Sequence, residues 1–332
     1  MRLTFCSLGL AAIAAAVGLS PPTADAATKL RAAIIHSSTQ TQAKALHKWK
    51  ELLKEASKGE LDVQVFDSGS VVANQQDGFG QVKVGSIDLT LSVAVKDDLP
   101  ALQIPLLAYA FPSYEAWRSF MDGEEAQKLY DQFREKTGLR ILGMQYIGAR
   151  HLTANRAVKT PADLKGLKIR AVELPLFLET VKGLGGLPTP VALQEVVSGL
   201  KTGVIDGQEN PIPTIYSLKM QDAQSHLMLT GHIRGGDYWM INEARFKSLT
   251  PQQQELVVAT AREAIKWGDD LVRQQEEEFL AKLKAEGMTV IGPEQGLDVA
   301  AFTKSVRDNA WPVLVPDIGR DVVDRVLALE KK

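Results

Sequence analysis

Two places in the stretch from Asn155 to Pro211 carry residue types suited to holding a small anion. Arg170 ends the segment NRAVKTPADLKGLKIR, and the polar triplet Gln208-Glu209-Asn210 lies in GVIDGQENP, just past a short apolar run. An arginine where an apolar strand stops offers a carboxylate two parallel N–H donors in a planar fork, and it does not lose its proton. An amide nearby can add a further hydrogen bond. The same arginine would serve equally well as a surface residue paired with Asp or Glu, because arginine is mostly exposed. The residues alone leave both roles open.

Other chemistries have no signature. The sequence contains no Walker loop, GxSxG elbow, HExxH or cysteine pair, and its five histidines, His36, His47, His151, His226 and His232, show no metal-ligand spacing. No cofactor is expected. Gly183, Gly185 and Gly186 follow a predicted helix instead of joining strand to helix, so a dinucleotide loop lacks its context. With 38 basic and 40 acidic residues, a net charge of -2 and no basic run, no nucleic-acid partner is expected.

Residues 1–26 read as a secretory signal, with Arg2 at the start, an apolar core from Leu8 to Leu19, and the small-residue site Ala24-Asp25-Ala26, predicting cleavage after Ala26. Cys6, the sole cysteine, falls inside this segment, so the mature chain needs no disulfide. No later run is long and apolar enough to span a bilayer. A soluble, exported, monomeric protein is expected.

The elements that must position Arg170 alternate. Strand-like 30–35, helical 39–57, strand-like 61–66, a helix over 75–84 and a strand through Leu91 give βαβαβ order, which argues for a parallel sheet with ligands at the carboxyl ends of its strands. Helices are predicted over 113–121 and 124–137, then strands over 139–147 and 151–155. The alternation restarts with strands at 167–171, 188–191 and 204–206 separated by helices at 175–182 and 194–201, then a helix at 212–218 and returning strands at 226–230 and 238–242. Two such lobes joined by more than one strand make a hinged clamshell. Lobe I is assigned to 27–152 plus 236–275, and lobe II to 153–235 plus 276–332. Thr250-Pro251 starts a helix running to about Glu286, roughly 50 Å long and able to lean on both lobes. Gly268 inside it reads as a tolerated surface glycine or a kink.

At NRAVKTPADLKGLKIR, PTPVALQEVVSGLKTGVIDGQENP and the helix after Leu249-Thr250-Pro251, the chain resembles the periplasmic solute-binding proteins of tripartite ATP-independent periplasmic (TRAP) transporters, over nearly all of its mature length. The resemblance implies an α/β, two-lobed periplasmic binding protein clamshell with a long helix spanning both lobes. It also implies a small organic acid as ligand and membrane permease subunits, driven by a cation gradient, as partners. Under it, Arg170 resembles the family's carboxylate-gripping arginine, Arg156 a second basic group, and Asn210 an amide bonded to the same carboxylate. Glu173 matches a polar position near ligand, while Leu193 and Trp239 match the apolar wall. Arg156 could instead pair with a neighbouring acid, Glu173 could cap the helix near Pro175, and Trp239 could be core.

In lobe I the candidates are His36, the 68–70 turn and Val93. Sugar-acid binders of the family tend to place acids in these loops, where this chain has Ala73 and Val93. The expectation is therefore a small mono- or dicarboxylate, with an apolar or aromatic body against Leu193 and Trp239. Presentation of the acid to a sensor, or an exported enzyme, are the alternative roles.

Overall fold

The computed structural model describes residues 27–328 except 94 and 96. The secretory signal predicted at 1–26 lies outside the described residues. The chain opens with β1 (Thr28–Ala33), α1 (Thr41–Ala56), β2 (Leu61–Phe66), α2 (Gln75–Lys83) and β3 (Leu89–Ser92). After a 3-10 segment at Pro100–Leu106 come α3 (Tyr114–Asp122), α4 (Glu124–Thr137) and β4 (Leu139–Ala154). Then follow β5 (Lys168–Ala171), α5 (Pro175–Leu184), β6 (Leu187–Pro190), α6 (Val196–Thr202), β7 (Gly207–Pro211), α7 (Ile212–Ser217) and β8 (His226–Asn242). The last part contains α8 (Glu243–Lys247), α9 (Pro251–Ala285), β9 (Thr289–Ile291), α10 (Val299–Asn309), α11 (Trp311–Ile318) and α12 (Arg320–Leu327).

The strands form one mixed sheet of order β2-β1-β3-β8-β4-β7-β5-β6, with β9 added beside β8. The wholly parallel sheet expected from βαβαβ order holds only within each half, where β1 pairs parallel with β2 and β3, and β5 with β6 and β7. Between the halves run β4 and β8, 16 and 17 residues long and antiparallel. Sequence patterning splits each into two strands, because glycines interrupt the apolar runs. In the structure those interruptions are bulges: the β4–β8 register slips between Ile141 and Gly143, between Tyr146 and Gly148, and between Arg150 and Leu152. A bulge bends a strand without ending it, so two strands cross from one lobe to the other.

α9 is capped by Thr250, whose side chain accepts from Gln253 N, and Gln253 returns a bond to Thr250 N. Its 35 residues extend over both lobes. Val257, Ala261, Ala264 and Ile265 share the core that holds Leu46 and Trp49 of α1, and Phe279 stacks on Tyr216 of α7 at 4.5 Å. Carboxylates from the helix also satisfy backbone donors at the bulges: Asp269 accepts from Tyr146 N at 2.8 Å and Glu276 from Ala149 N at 2.8 Å. Gly268 is buried within the unbroken helix. A Cβ there would lie 2.7 Å from Gln145 Nε2 and 3.0 Å from Ala45 Cβ, so the glycine lets α9 press onto β4 and α1 together.

Candidate functional site

The carboxyl ends of the two sets of parallel strands face one cleft, enclosing about 1020 Å³ of space not filled by protein, its mouth included. One side is built from β5, β7, α5 and the bulged part of β4. The other is built from the loop after β1, the first turns of α1 and α2, and β8.

On the β5 side, Arg170 is the third residue of its strand and only 3% exposed. Its Nε donates to Val191 O at 2.8 Å, while its buried Nη1 has no partner. Burial lowers its pKa to about 10; attraction to Glu209 opposes this, and repulsion from Arg150 adds to it. Arg150 itself is occupied. Its Nε donates to Glu209 Oε2 at 2.5 Å and its Nη2 to Glu209 Oε1 at 2.7 Å, and its guanidinium sits 5.2 Å from the centre of the Phe177 ring. His232 Nε2 lies 3.1 Å from Glu209 Oε2, with its Nδ1 2.8 Å from Thr230 Oγ1. Burial would push the Glu209 carboxyl up, but the Arg150 charge and the hydrogen bonds prevail and hold it at about 2. Asn210 donates through Nδ2 to Gln208 Oε1 at 2.6 Å and accepts from Arg150 Nη2 at 3.2 Å. The Arg150–Glu209 pair is close to neutral as a unit, so Arg170 is left with positive charge and a free N–H at the cleft.

Across the cleft, Asp237 of β8 is 2% exposed. Gln42 Nε2 donates to its Oδ2 at 3.3 Å, Gln75 Nε2 donates to its Oδ1 at 3.3 Å, and His36 Nε2 stands 3.6 Å from Oδ2. Gln75 is held in turn by Val93 N, which donates to its Oε1 at 2.7 Å. Burial lowers the pKa of His36, with the Asp237 charge pulling it back. Two buried atoms on this side have no partner, His36 Nδ1 and Gln40 Nε2.

Of the residues singled out from sequence, Arg170, Asn210, Glu173, Leu193, His36 and Val93 all line this cleft. Glu173 is exposed at its rim. Arg156 does not line it; it is exposed on the loop after β4, where its Nη2 donates to Asp163 O at 2.5 Å. Asp163 fastens that loop by accepting from Lys159 N at 2.9 Å and Thr160 N at 2.8 Å, and so turns Arg156 outward. Trp239 is also outside. It is fully buried beneath α1, edge-on to Trp49 at 5.8 Å, and donates from Nε1 to Gln145 Oε1 at 3.2 Å. The 68–70 turn is not a lining segment either.

Sequence reading missed Arg150, Asp237, Gln42, Gln75 and Phe177, all of which line the cleft. Two of these carried a legible signal. Arg150 interrupts the apolar run of β4, and Asp237 follows Gly235-Gly236 directly before the apolar end of β8; a charge inside a buried strand requires a partner or a cavity. Among the described residues, no group of three or more His, Cys, Asp and Glu side chains is arranged to hold a metal ion. No helix there is long and apolar enough to cross a membrane.

A family model described as bacterial extracellular solute-binding protein, family 7, matches residues 32–310. The chain belongs to this family. The 2,3-diketo-L-gulonate-binding periplasmic protein of Escherichia coli (strain K12) is 33% identical over 309 residues, covering 91% of this chain and 92% of the relative. The crystal structure of a TRAP periplasmic solute-binding protein from Actinobacillus succinogenes 130z with bound L-galactonate matches at a TM-score of 0.84 and 30% identity, over 92% of this chain and 100% of that one. Another, from Polaromonas sp. JS666 and bound to D-erythronate, matches at a TM-score of 0.84 and 27% identity, over 91% and 98% of the two chains. This solute-binding protein is thus a transport protein of the TRAP type and not an enzyme, and its fold is the two-lobed clamshell.

Proposed function

We propose that this solute-binding protein captures a small organic acid by pairing its carboxylate with Arg170 and delivers it to the membrane permease of a TRAP transporter. One observation carries the reading: Arg170 Nη1 is buried, unpartnered and beside an open cleft, whereas the neighbouring Arg150 is held by Glu209. A buried guanidinium with an unused donor is costly unless an anion completes it. The relatives solved with L-galactonate and D-erythronate support an acid of this kind.

Lobe I (27–152 and 236–275) and lobe II (153–235 and 276–332) hinge on the bulged strands β4 and β8. Ligand favours closure to the extent that it binds the closed form better, and closing excludes water so that the Arg170 pair strengthens. Asn210 adds an amide beside the carboxylate, and Leu193 and Phe177 add apolar wall. Residues 1–26 direct export to the periplasm and are removed.

The experiment is titration calorimetry with a panel of organic acids on the mature chain and its Arg170→Ala variant, followed by uptake into vesicles holding the cognate membrane subunits. Binding that survives intact in Arg170→Ala overturns the carboxylate role. Uptake that proceeds equally without the binding protein overturns the delivery role.

A further inference from the structure

The cleft is chemically two-ended. Arg170 lies on β5, and Asp237 on β8, with β7 and β4 between them in the sheet. The groups that approach each charge come from its own side. Val191 O, Glu209 and Arg150 surround Arg170, whereas His36, Gln42 and Gln75 surround Asp237. An anion that pairs with Arg170 therefore extends its other end toward an acid.

We infer that Asp237, with His36 and Gln40, forms a subsite for hydroxyl groups, so that the ligand is a polyhydroxylated monocarboxylate and acids carrying a second carboxylate at the far end are rejected. This rests on the Arg170–carboxylate reading. Asp237 is acceptor-only as a carboxylate, and its contacts with Gln42 and Gln75, both 3.3 Å, leave acceptor capacity for a further donor. Gln40 Nε2 is a buried donor without an acceptor, and His36 Nδ1 a buried ring nitrogen without a partner. A hydroxyl donates and accepts, and so satisfies an acid and an amide donor side by side. A second carboxylate supplies acceptors only and meets the Asp237 charge head on. A hydrocarbon tail leaves Gln40 and His36 dry and unpaired, and an ammonium tail answers Asp237 but turns a donor toward the Gln40 donor.

This revises the expectation of a dicarboxylate or an apolar acid. That expectation followed from the lack of acids in the loops at Ala73 and Val93, yet the acid reaches the same side of the cleft from β8.

The test uses pairs of acids that differ only in the far group: L-galactonate against galactarate, and D-erythronate against meso-tartrate. Hexanoate and 6-aminohexanoate supply the apolar and cationic tails. Calorimetry and thermal shift on the mature chain are expected to give at least about tenfold tighter binding of one or both aldonates than of the matched diacid, and no tighter binding of hexanoate or 6-aminohexanoate. In Asp237→Asn the ratio within a pair is expected to shrink at least about fivefold, since an amide can donate to a carboxylate.

A diacid, hexanoate or 6-aminohexanoate that binds best, binding by neither member of either pair, or an unchanged ratio in a folded Asp237→Asn overturns the inference. The wild-type ratio decides it even if that variant does not fold. Arg170→Ala separates the two readings: retained aldonate affinity there defeats the carboxylate role itself, whereas loss there together with diacid preference in the wild type defeats the Asp237 subsite alone.

Discussion

Arg150 and Glu209 face each other from adjacent antiparallel strands and form a two-point contact, Nε to Oε2 at 2.5 Å and Nη2 to Oε1 at 2.7 Å, with both side chains buried. Glu209 stands on the strand next to Arg170, and Arg150 on the strand beyond it. The pair neutralises one of two neighbouring guanidinium groups and fixes the floor on which the other works.

Arg170→Ala is expected to fold, since Arg170 gives up only its bond to Val191 O, and to lose about 2–5 kcal/mol of binding to an acid recognised by the wild type. Arg170→Lys should bind poorly as well, because an ammonium cannot reproduce the fork. Calorimetry supplies the affinities, and circular dichroism shows whether the fold is retained. Wild-type affinity in either variant contradicts the assignment.

Removing one member of the Arg150–Glu209 pair has a different signature. Glu209→Ala leaves Arg150 buried and uncompensated and should cost about 3–5 kcal/mol of folding stability, visible in urea unfolding without any ligand. Arg156→Ala, on the exposed loop, should change acid affinity less than about twofold and stability by no more than about 0.5 kcal/mol. A large loss of affinity in Arg156→Ala would restore it to the site.

Acid should destabilise the apo-protein in stages. His151, buried and accepting from Gly231 N, is lowered to about 3, mainly by burial, so the unfolded chain binds its proton first and stability declines from about pH 6.5 downward. Glu209 is depressed to about 2, so its contribution is present above about pH 4.5 and lost between there and about pH 2. Asp269 opposes both. Burial raises it to about 6, so the folded state takes up its proton first and regains stability between about pH 6 and 4. Asp269→Asn should therefore lose stability more steeply than wild type across that interval. Melting curves at half-unit steps measure the slopes; parallel slopes would show that Asp269 is not buried as charge.

Gly268→Ala should destabilise, although alanine favours a helix by about 1 kcal/mol. The added methyl meets Gln145, which is held by its bonds to Trp239 Nε1 and Thr41 O, and overpacking of this kind costs about 1–3 kcal/mol. A raised melting temperature would mean that α9 has room to move off β4.

The sequence by itself determined the alternation of strands and helices, the long capped helix after Thr250, and Arg170 at a strand end. Each of these follows from local periodicity, capping chemistry or a strand boundary. It did not determine where strands continue through glycine, because a bulge and a break look alike until a partner strand is present. β4 and β8 are bulged, and the connection between lobes depends on that.

The 208–210 triplet lies inside β7, and Arg150, six residues before Arg156 in the chain, is the arginine of this region that lines the cleft. Past Glu286 the chain shows no clear periodicity, yet α10 packs on α5 while α11 and α12 reach back to the 3-10 segment at Pro100–Leu106, with Trp311 Nε1 donating to Ala108 O at 3.0 Å. The resemblance places Trp239 in the apolar wall of the pocket, but α1 and α9 cover it. Asp237 becomes part of the cleft only when β8 is laid against the loop bearing His36 and the first turns of α1 and α2 bearing Gln42 and Gln75, which precede it by more than 160 residues. Charge pairing between distant segments leaves no periodic trace along a chain; tertiary packing alone decides which acid faces which base.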